Sequence, residues 1–317
     1  MNHHCYSQRQ LEFIEPRVYE IRERVFPVAK PLRIVNVASV PQRSPFRYPG
    51  GKTWLVPYAR LWLRSLPAPV EELIEPFAGG AIIGLTAAFE RLAERVTLVE
   101  IDSDIAAVWQ TILNGRGNWL ADRIVNFKLT SSSARNVIGS PRITLWEKAF
   151  ATIVRNRVQR GGILAPGAGL MKRGENGNGI ASRWYPETLG KRIRAIVTVK
   201  DRIQFIEGDG ITHLENNVSR PEVAYFIDPP YTKAGRRLYK HSEVDDRYLF
   251  SLAKQLRGDF LMTYDNTRQV VKLADEFGLH WQAISMKNTH HTKMTELLIG
   301  RNLDWLSGEV RSRLISP

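Results

Sequence analysis

Asp228 is followed by two prolines and a tyrosine and preceded by the apolar run Val223 to Ile227. Such a run reads as a buried strand, and Pro229 and Pro230 end it because neither has a backbone N–H and both fix φ. The acid therefore stands where a strand stops. A structural turn explains one proline; it leaves the acid, the second proline and the ring unexplained. One chemistry uses the whole set. An exocyclic amino group on a nucleobase is a poor nucleophile because its lone pair is delocalised into the ring. A carboxylate and a backbone carbonyl, each accepting a hydrogen bond from that NH2, pull the nitrogen toward tetrahedral geometry and take up its developing positive charge. Asp228 is the carboxylate, and Pro229 supplies the carbonyl. Pro230 makes the projection of Tyr231 rigid, and that ring offers a π-face on which an extruded base can stack.

A second set lies upstream. In "LIEPFAGGAIIGL" (Leu73 to Leu85) an apolar run reaches Glu75 and Phe77, and Gly79 and Gly80 then open a helical pattern. Glycines at a strand-to-helix turn let backbone approach a ligand with no Cβ in the way, and open α/β sheets bind ligands at the carboxyl ends of their strands. Glu100 closes the next apolar run, in "TLVEIDSD", 21 residues after Gly79. An acid at that distance hydrogen-bonds the ribose hydroxyls of a nucleotide-like cofactor. Earlier still, "SPFRYPGGK" (Ser44 to Lys52) combines a turn with Tyr48 and Lys52. It reads either as a simple turn or as a lip over a cofactor, with Lys52 facing a carboxylate.

These residues need a scaffold that brings strand ends together. Seven short β-rich runs are evident: Val70 to Ile74, Val96 to Val99, Ile203 to Ile206, Val223 to Ile227, Phe260 to Thr263, Trp281 to Met286 and Leu297 to Ile299. Helical patterns such as Ala81 to Leu92 and Tyr248 to Leu256 separate most of them. The alternation predicts an α/β fold, a mostly parallel, Rossmann-like sheet of about seven strands with helices on both faces. The expected organisation is an N-terminal extension over 1–40 with no assigned chemistry, a core over 41–110 and 200–305, and an insert over 111–199.

The insert carries the charge. The chain has 45 Lys and Arg against 32 Asp and Glu, a net +13, and residues 111–200 alone hold 16 basic against 4 acidic residues. A polyanion such as nucleic acid is the natural partner for a charge confined to one block. Arg155, Arg157 and Arg160 in "RNRVQRGG", Lys172 and Arg173 in "KRGENGNG", and Arg236 and Arg237 after the catalytic turn are the candidate contacts. Arg bonds guanine bidentately, whereas most basic contacts reach only phosphate. The glycine-rich stretch from Arg160 to Gly179 reads as a loop or hairpin.

Taken in order, "FRYPGGK", "EPFAGG", "VEIDSD", "FIDPPY" and "GDFLMTYDN" resemble the Dam-like DNA adenine-N6 methyltransferases over about Pro45 to Gly300. The resemblance implies a Rossmann-like S-adenosylmethionine-dependent methyltransferase sheet with an inserted, mainly helical or loop subdomain that recognises DNA. It implies that Tyr48, Gly50, Gly51, Lys52, Glu75, Phe77, Gly79 and Gly80 line the S-adenosylmethionine site, that Glu100 holds the ribose, and that Asp209 of "FIEGDG" sits beside the cofactor adenine. It implies Asp228, Pro229, Pro230 and Tyr231 as the catalytic set, double-stranded DNA as partner, and room for a cognate restriction nuclease. The family often has Trp where Tyr48 stands, Asp for Glu100 and Asn for Asp102; these exchanges keep the aromatic ring and the ribose acid.

Rival chemistries leave different residues. A cytosine-C5 enzyme needs a catalytic cysteine in the core, and the one cysteine is Cys5. A cytosine-N4 enzyme shares the amine chemistry but usually begins its tetrapeptide with Ser, and enzymes acting on RNA or a protein glutamine usually begin it with Asn. RNA stays open as a substrate, and so does a DNA-binding protein on a catalytically silent scaffold, although an intact Asp228 and Tyr231 argue against the latter. The single cysteine excludes an internal disulfide, and short apolar runs with no signal-peptide core predict a cytoplasmic protein with no membrane partner; DNA binding would make it nucleoid-associated, and transfer from an activated methyl donor requires no metal. The oligomeric state is not written in these features.

Overall fold

The computed structural model describes residues 40–47, 51–141, 144–162, 164, 169–171, 174, 177–230, 244–287 and 293–306. Its strands are β1 Glu72–Glu75, β2 Arg95–Glu100, β3 Ile203–Glu207, β4 Val223–Ile227, β5 Asp259–Asp265, β6 His280–Lys287 and β7 Lys293–Gly300. They form one seven-stranded sheet in the order β3-β2-β1-β4-β5-β7-β6. The pairings from β3 through β5 are parallel, and β7 runs antiparallel to both β5 and β6. This is the expected Rossmann-like α/β sheet, with one reversed strand that the strand patterns alone did not announce.

The helices are α1 Val56–Ser65, α2 Ile82–Glu90, α3 Ser103–Thr111, α4 Gly117–Val125, α5 Ser131–Gly139, α6 Leu145–Val158, α7 Pro186–Thr198, α8 Gly210–Asn217, α9 Asp246–Gln255 and α10 Arg268–Glu276. All five residues of β4 are buried, as befits a strand covered on both faces. Its side chains alternate between two cores. Ala224 and Phe226 join a cluster with α1 to α4, α6 and α7, while Val223, Tyr225 and Ile227 join one with α9 and α10. Period-two alternation in the sequence thus becomes a doubly wound sheet.

Between β2 and β3 the chain makes α3 to α7, so the basic block is mainly helical. Thr144 and Glu147 form a reciprocal capping box that starts α6, and Thr130 and Ser133 do the same for α5. Ile153 and Val154 of α6 and Ile193 and Ile196 of α7 are fully buried in the same cluster as β1 and β2. The insert therefore shares the core of the sheet rather than folding around one of its own.

Candidate active site

The strand order reverses between β1 and β4, and the carboxyl ends of these neighbours carry Glu75 and Asp228. A crevice opens at such a switch point, where open α/β sheets place ligands. Asp228 stands immediately past β4, its side chain 22% exposed, followed by a buried Pro229 and a half-buried Pro230. Among the described residues, Thr263 and Lys52 hold its carboxylate. Thr263 of β5 donates its hydroxyl to Asp228 Oδ1 at 2.6 Å, and the ammonium of Lys52 lies 3.0 Å from the same oxygen.

Lys52 begins a short 3-10 turn, Lys52–Leu55, just after an exposed Gly51, and is only 3% exposed. Its Nζ is also 3.5 Å from Glu296 Oε2 on β7. Burial alone would drive the ammonium to lose its proton, but Asp228 and Glu296 outweigh it and hold the Lys52 pKa above its ordinary value. Glu296 pairs in register with Asp265 of β5. Burial pushes the Glu296 carboxyl up to about 7 against the pull of Lys52, with Asp228 and Asp265 adding like-charge repulsion. Burial likewise raises Asp265, again against the pull of Lys52.

Glu75 is 3% exposed. Its Oε2 accepts the N–H of Gly84 at 2.8 Å. That N–H belongs to the first turn of α2, whose own N-cap residue offers no side chain, so the strand's terminal acid caps the helix that follows it. Burial raises the Glu75 pKa well above normal against that hydrogen bond. The carboxyl thus has a structural task as well as a place close enough to Asp228 to feel its charge.

Glu100 ends β2. Gly79 donates its N–H to Oε2 at 2.8 Å and Asp102 donates its N–H to Oε1 at 2.8 Å. Gly79 has a φ of 45°, which favours glycine, and the Trp109 indole donates to its carbonyl at 3.0 Å. Burial lifts the Glu100 pKa to about 7, opposed by these backbone donors. Gly80 and Phe77 are partly exposed in the same turn. Ile101, next to Glu100, leaves 44% of its surface open. Asp209, exposed after β3, caps α8 by accepting from the backbone of Ile211 and Thr212. The carboxyl ends of β1, β2, β3 and β4 therefore gather Glu75, Gly79, Glu100, Asp209 and Asp228 along one edge of the sheet.

Two of the candidate insert contacts are tied into the fold. Arg155 donates to Asp104 Oδ2 at 2.8 Å and to the Leu164 carbonyl at 2.7 Å, tying α6 to the start of α3. Arg157 is 5% exposed, and its Nη2 donates to the Pro45 carbonyl at 2.6 Å. Neither presents a free cation to the surface, because helical geometry turns both toward neighbouring chain. Arg160 is exposed and lines a groove of about 870 Å³ with Arg135, Ser131 and Asn178. Tyr48, Gly50, Lys172, Arg173, Tyr231, Arg236 and Arg237 lie outside the described residues, as do residues 1–39.

Thr263, Asp265 and Glu296 were not anticipated. A threonine and an acid inside the apolar runs "FLMTYD" and "TELLIG" were the available signals, since buried polar groups need partners. Among the described residues no helix is long and apolar enough to cross a membrane.

No protein-family model matches the chain, and no curated protein matches it. Solved structures with a similar fold include the rRNA methyltransferase aviRa from Streptomyces viridochromogenes, at 13% identity and TM-score 0.37 over 80% of this chain and 86% of that one. Another is a precorrin-6y C5,15-methyltransferase from Geobacter metallireducens, at 9% identity and TM-score 0.34 over 88% of this chain and 94% of that one. A third is a geranyl diphosphate methyltransferase solved with GPP and sinefungin, at 10% identity and TM-score 0.31 over 77% and 76%. At such distances the likeness is one of general fold, and what this chain does has to be read from its own residues.

Proposed function

We propose that the chain is an S-adenosylmethionine-dependent DNA methyltransferase acting on the N6 amino group of a flipped adenine. The observation that carries this reading is the setting of Asp228: a partly exposed carboxylate at the end of a central strand, pinned by Lys52 and Thr263, on the same sheet edge as Glu100. The residues at the ends of β1 to β3 suit the cofactor. Glu100, whose oxygens are aimed by the N–H groups of Gly79 and Asp102, offers its remaining lone pairs to ribose hydroxyls, and the exposed Ile101 gives an apolar surface for a ring. When bound, S-adenosylmethionine supplies a methyl group activated by its positively charged sulfur.

The protein's share is positioning and electrostatics. Asp228 and the Pro229 carbonyl accept the two N–H bonds of the target amine, which holds its lone pair out of conjugation and places negative charge where positive charge develops. Lys52 and Thr263 keep the carboxylate in one orientation, so little reorganisation is left for the moment of transfer. Tyr231 follows Pro230 in sequence and is assigned the stacking role.

Purified protein should transfer radiolabelled methyl from S-adenosylmethionine to duplex DNA, with N6-methyladenine as the product on nucleoside analysis. Asp228→Ala should lower turnover by roughly a thousandfold or more while leaving duplex affinity nearly unchanged. Equal activity of that variant, or label appearing in cytosine or only in RNA, would refute the assignment.

A further inference from the structure

Residues 44–47 run across the insert and are held there by unusual partners. Asn156 of α6, fully buried, accepts the Arg47 N–H at 2.8 Å and donates to the carbonyls of Arg47 and Gly162, each at 2.8 Å. Arg157 donates to the Pro45 carbonyl at 2.6 Å and Arg192 of α7 to the Ser44 carbonyl at 3.4 Å. This sets the guanidinium groups of Arg157 and Arg192 on neighbouring carbonyls, with Arg47 and Arg183 near enough to act on the charge of Arg157.

Among the described residues, no carboxylate pairs with Arg47, Arg157 or Arg192; their side chains reach carbonyl oxygens or nothing. Arg47 Nη1 and Arg157 Nε are buried without a hydrogen-bond partner. Burial lowers the Arg157 pKa to about 10, helped by the positive charges of Arg192, Arg47 and Arg183. Like charges gathered in partial burial with unspent donors cost free energy unless an anion joins them. Arg47 and Arg192 are only partly buried, so an anion has access, and Tyr185 nearby leaves 55% of its surface open. Guanidinium forks beside an exposed aromatic ring suit a phosphodiester with its attached base.

We propose that Arg47 and Arg192, above the buried charge of Arg157, form a binding site for a backbone phosphate of the DNA strand being methylated. The inference rests on the methyltransferase reading for the identity of the anion. Position supports it. Arg47 is five residues before Lys52, so their Cα atoms are at most about 18 Å apart, and Lys52 touches Asp228. Adding the reach of the two side chains, and with a phosphate about every 3.4 Å along a duplex strand, the site lies within about ten nucleotides of the target amine.

The test is fluorescence anisotropy of a labelled DNA duplex with the full-length chain, without S-adenosylmethionine, across about 50 to 200 mM salt. Arg47→Gln and Arg192→Gln should each bind about tenfold more weakly, with the slope of log affinity against log salt shallower by about 1. Arg47→Lys should keep the slope, because the point charge remains. Without DNA, Arg47→Gln should melt no lower than wild type, since it removes an unpaired charge; a melting point several degrees lower makes the cluster structural and overturns the proposal. Unchanged slopes in both Gln variants overturn it too. So does stabilisation of wild type by inorganic phosphate with unchanged duplex slopes, which makes the ligand a small free anion, or binding of single-stranded RNA with no duplex binding. Methyl transfer is not read here. Altered slopes in a chain that transfers no methyl leave the phosphate site standing without the transferase reading, and normal methylation with unchanged slopes does the reverse.

Discussion

Lys52 is the residue on which the candidate active site turns, because one buried ammonium faces carboxylates from two strands. Asp228 was legible in the sequence: an acid placed by prolines at the end of an apolar run is a local pattern. Glu100 was legible for the same reason, with its distance from Gly79 as the second mark. Thr263 and Glu296 were not, since they reach Asp228 and Lys52 only through the sheet order, from strands 35 or more residues away. Removing the cation tests how these groups depend on it. Lys52→Met should destabilise the chain by about 3 kcal/mol at pH 8, where the buried Glu296 and the partly exposed Asp228 are left without their counter-charge. At pH 6 the loss should shrink, because Glu296, already raised to about 7 by burial, takes up a proton. Adding Glu296→Gln should restore stability without restoring methyl transfer. Denaturant unfolding at the two pH values measures this, and an equal loss at both would remove the coupling between Lys52 and Glu296.

At the scale of elements, the seven apolar runs became seven strands with their ends shifted by a few residues at most, because each carries β-branched residues between turn signals. The reversal of β7 was missed, although the ten residues between Met286 and Leu297 are too few for a parallel crossover, which needs a dozen or more. The inward turn of the basic residues of α6 was not legible for a different reason: a charge count cannot say which face of a helix meets the core, and Arg155 and Arg157 donate to neighbouring chain. The seam between β1 and α2 offers a sharp test of element packing. A Cβ at Gly84 would lie 2.7 Å from Glu75 Oε2 and 2.7 Å from Leu98 Cδ2. Gly84→Ala should therefore cost about 1–3 kcal/mol despite its better helix propensity, by displacing the carboxyl that caps α2. Chemical denaturation reads the loss; a stabilised variant would show that α2 is free to shift away from β1.

The molecule as a whole buries several acids at one sheet edge, and this sets its response to pH. Burial raises Glu100 and Glu296 to about 7, and raises Glu75 and Asp265 as well. Through the window from about pH 4.5 to 7 the folded chain holds protons that the unfolded chain has released, so stability is greatest at the acid end and falls as pH rises. For Glu100 and Glu296 the loss is at most about 3.5 kcal/mol each. Glu90, where burial is outweighed by Arg60 and Arg43, adds stability that is constant above pH 5. His213, whose pKa burial lowers, works in the opposite sense below about 6.5, but it is half exposed and its effect is small. The unliganded chain should therefore melt at a lower temperature at pH 8 than at pH 5.5, with a shallower decline in Glu296→Gln. S-adenosylmethionine should show the opposite trend. If Glu100 is the ribose ligand proposed above, it accepts the hydroxyls best when ionised, so cofactor affinity should fall about tenfold from pH 8 to pH 6, and the stabilisation conferred by saturating cofactor should grow with pH. Calorimetric titration across that range checks it, with Glu100→Gln expected to bind weakly and without pH dependence; a wild-type affinity that stays flat would take Glu100 out of the ribose contact.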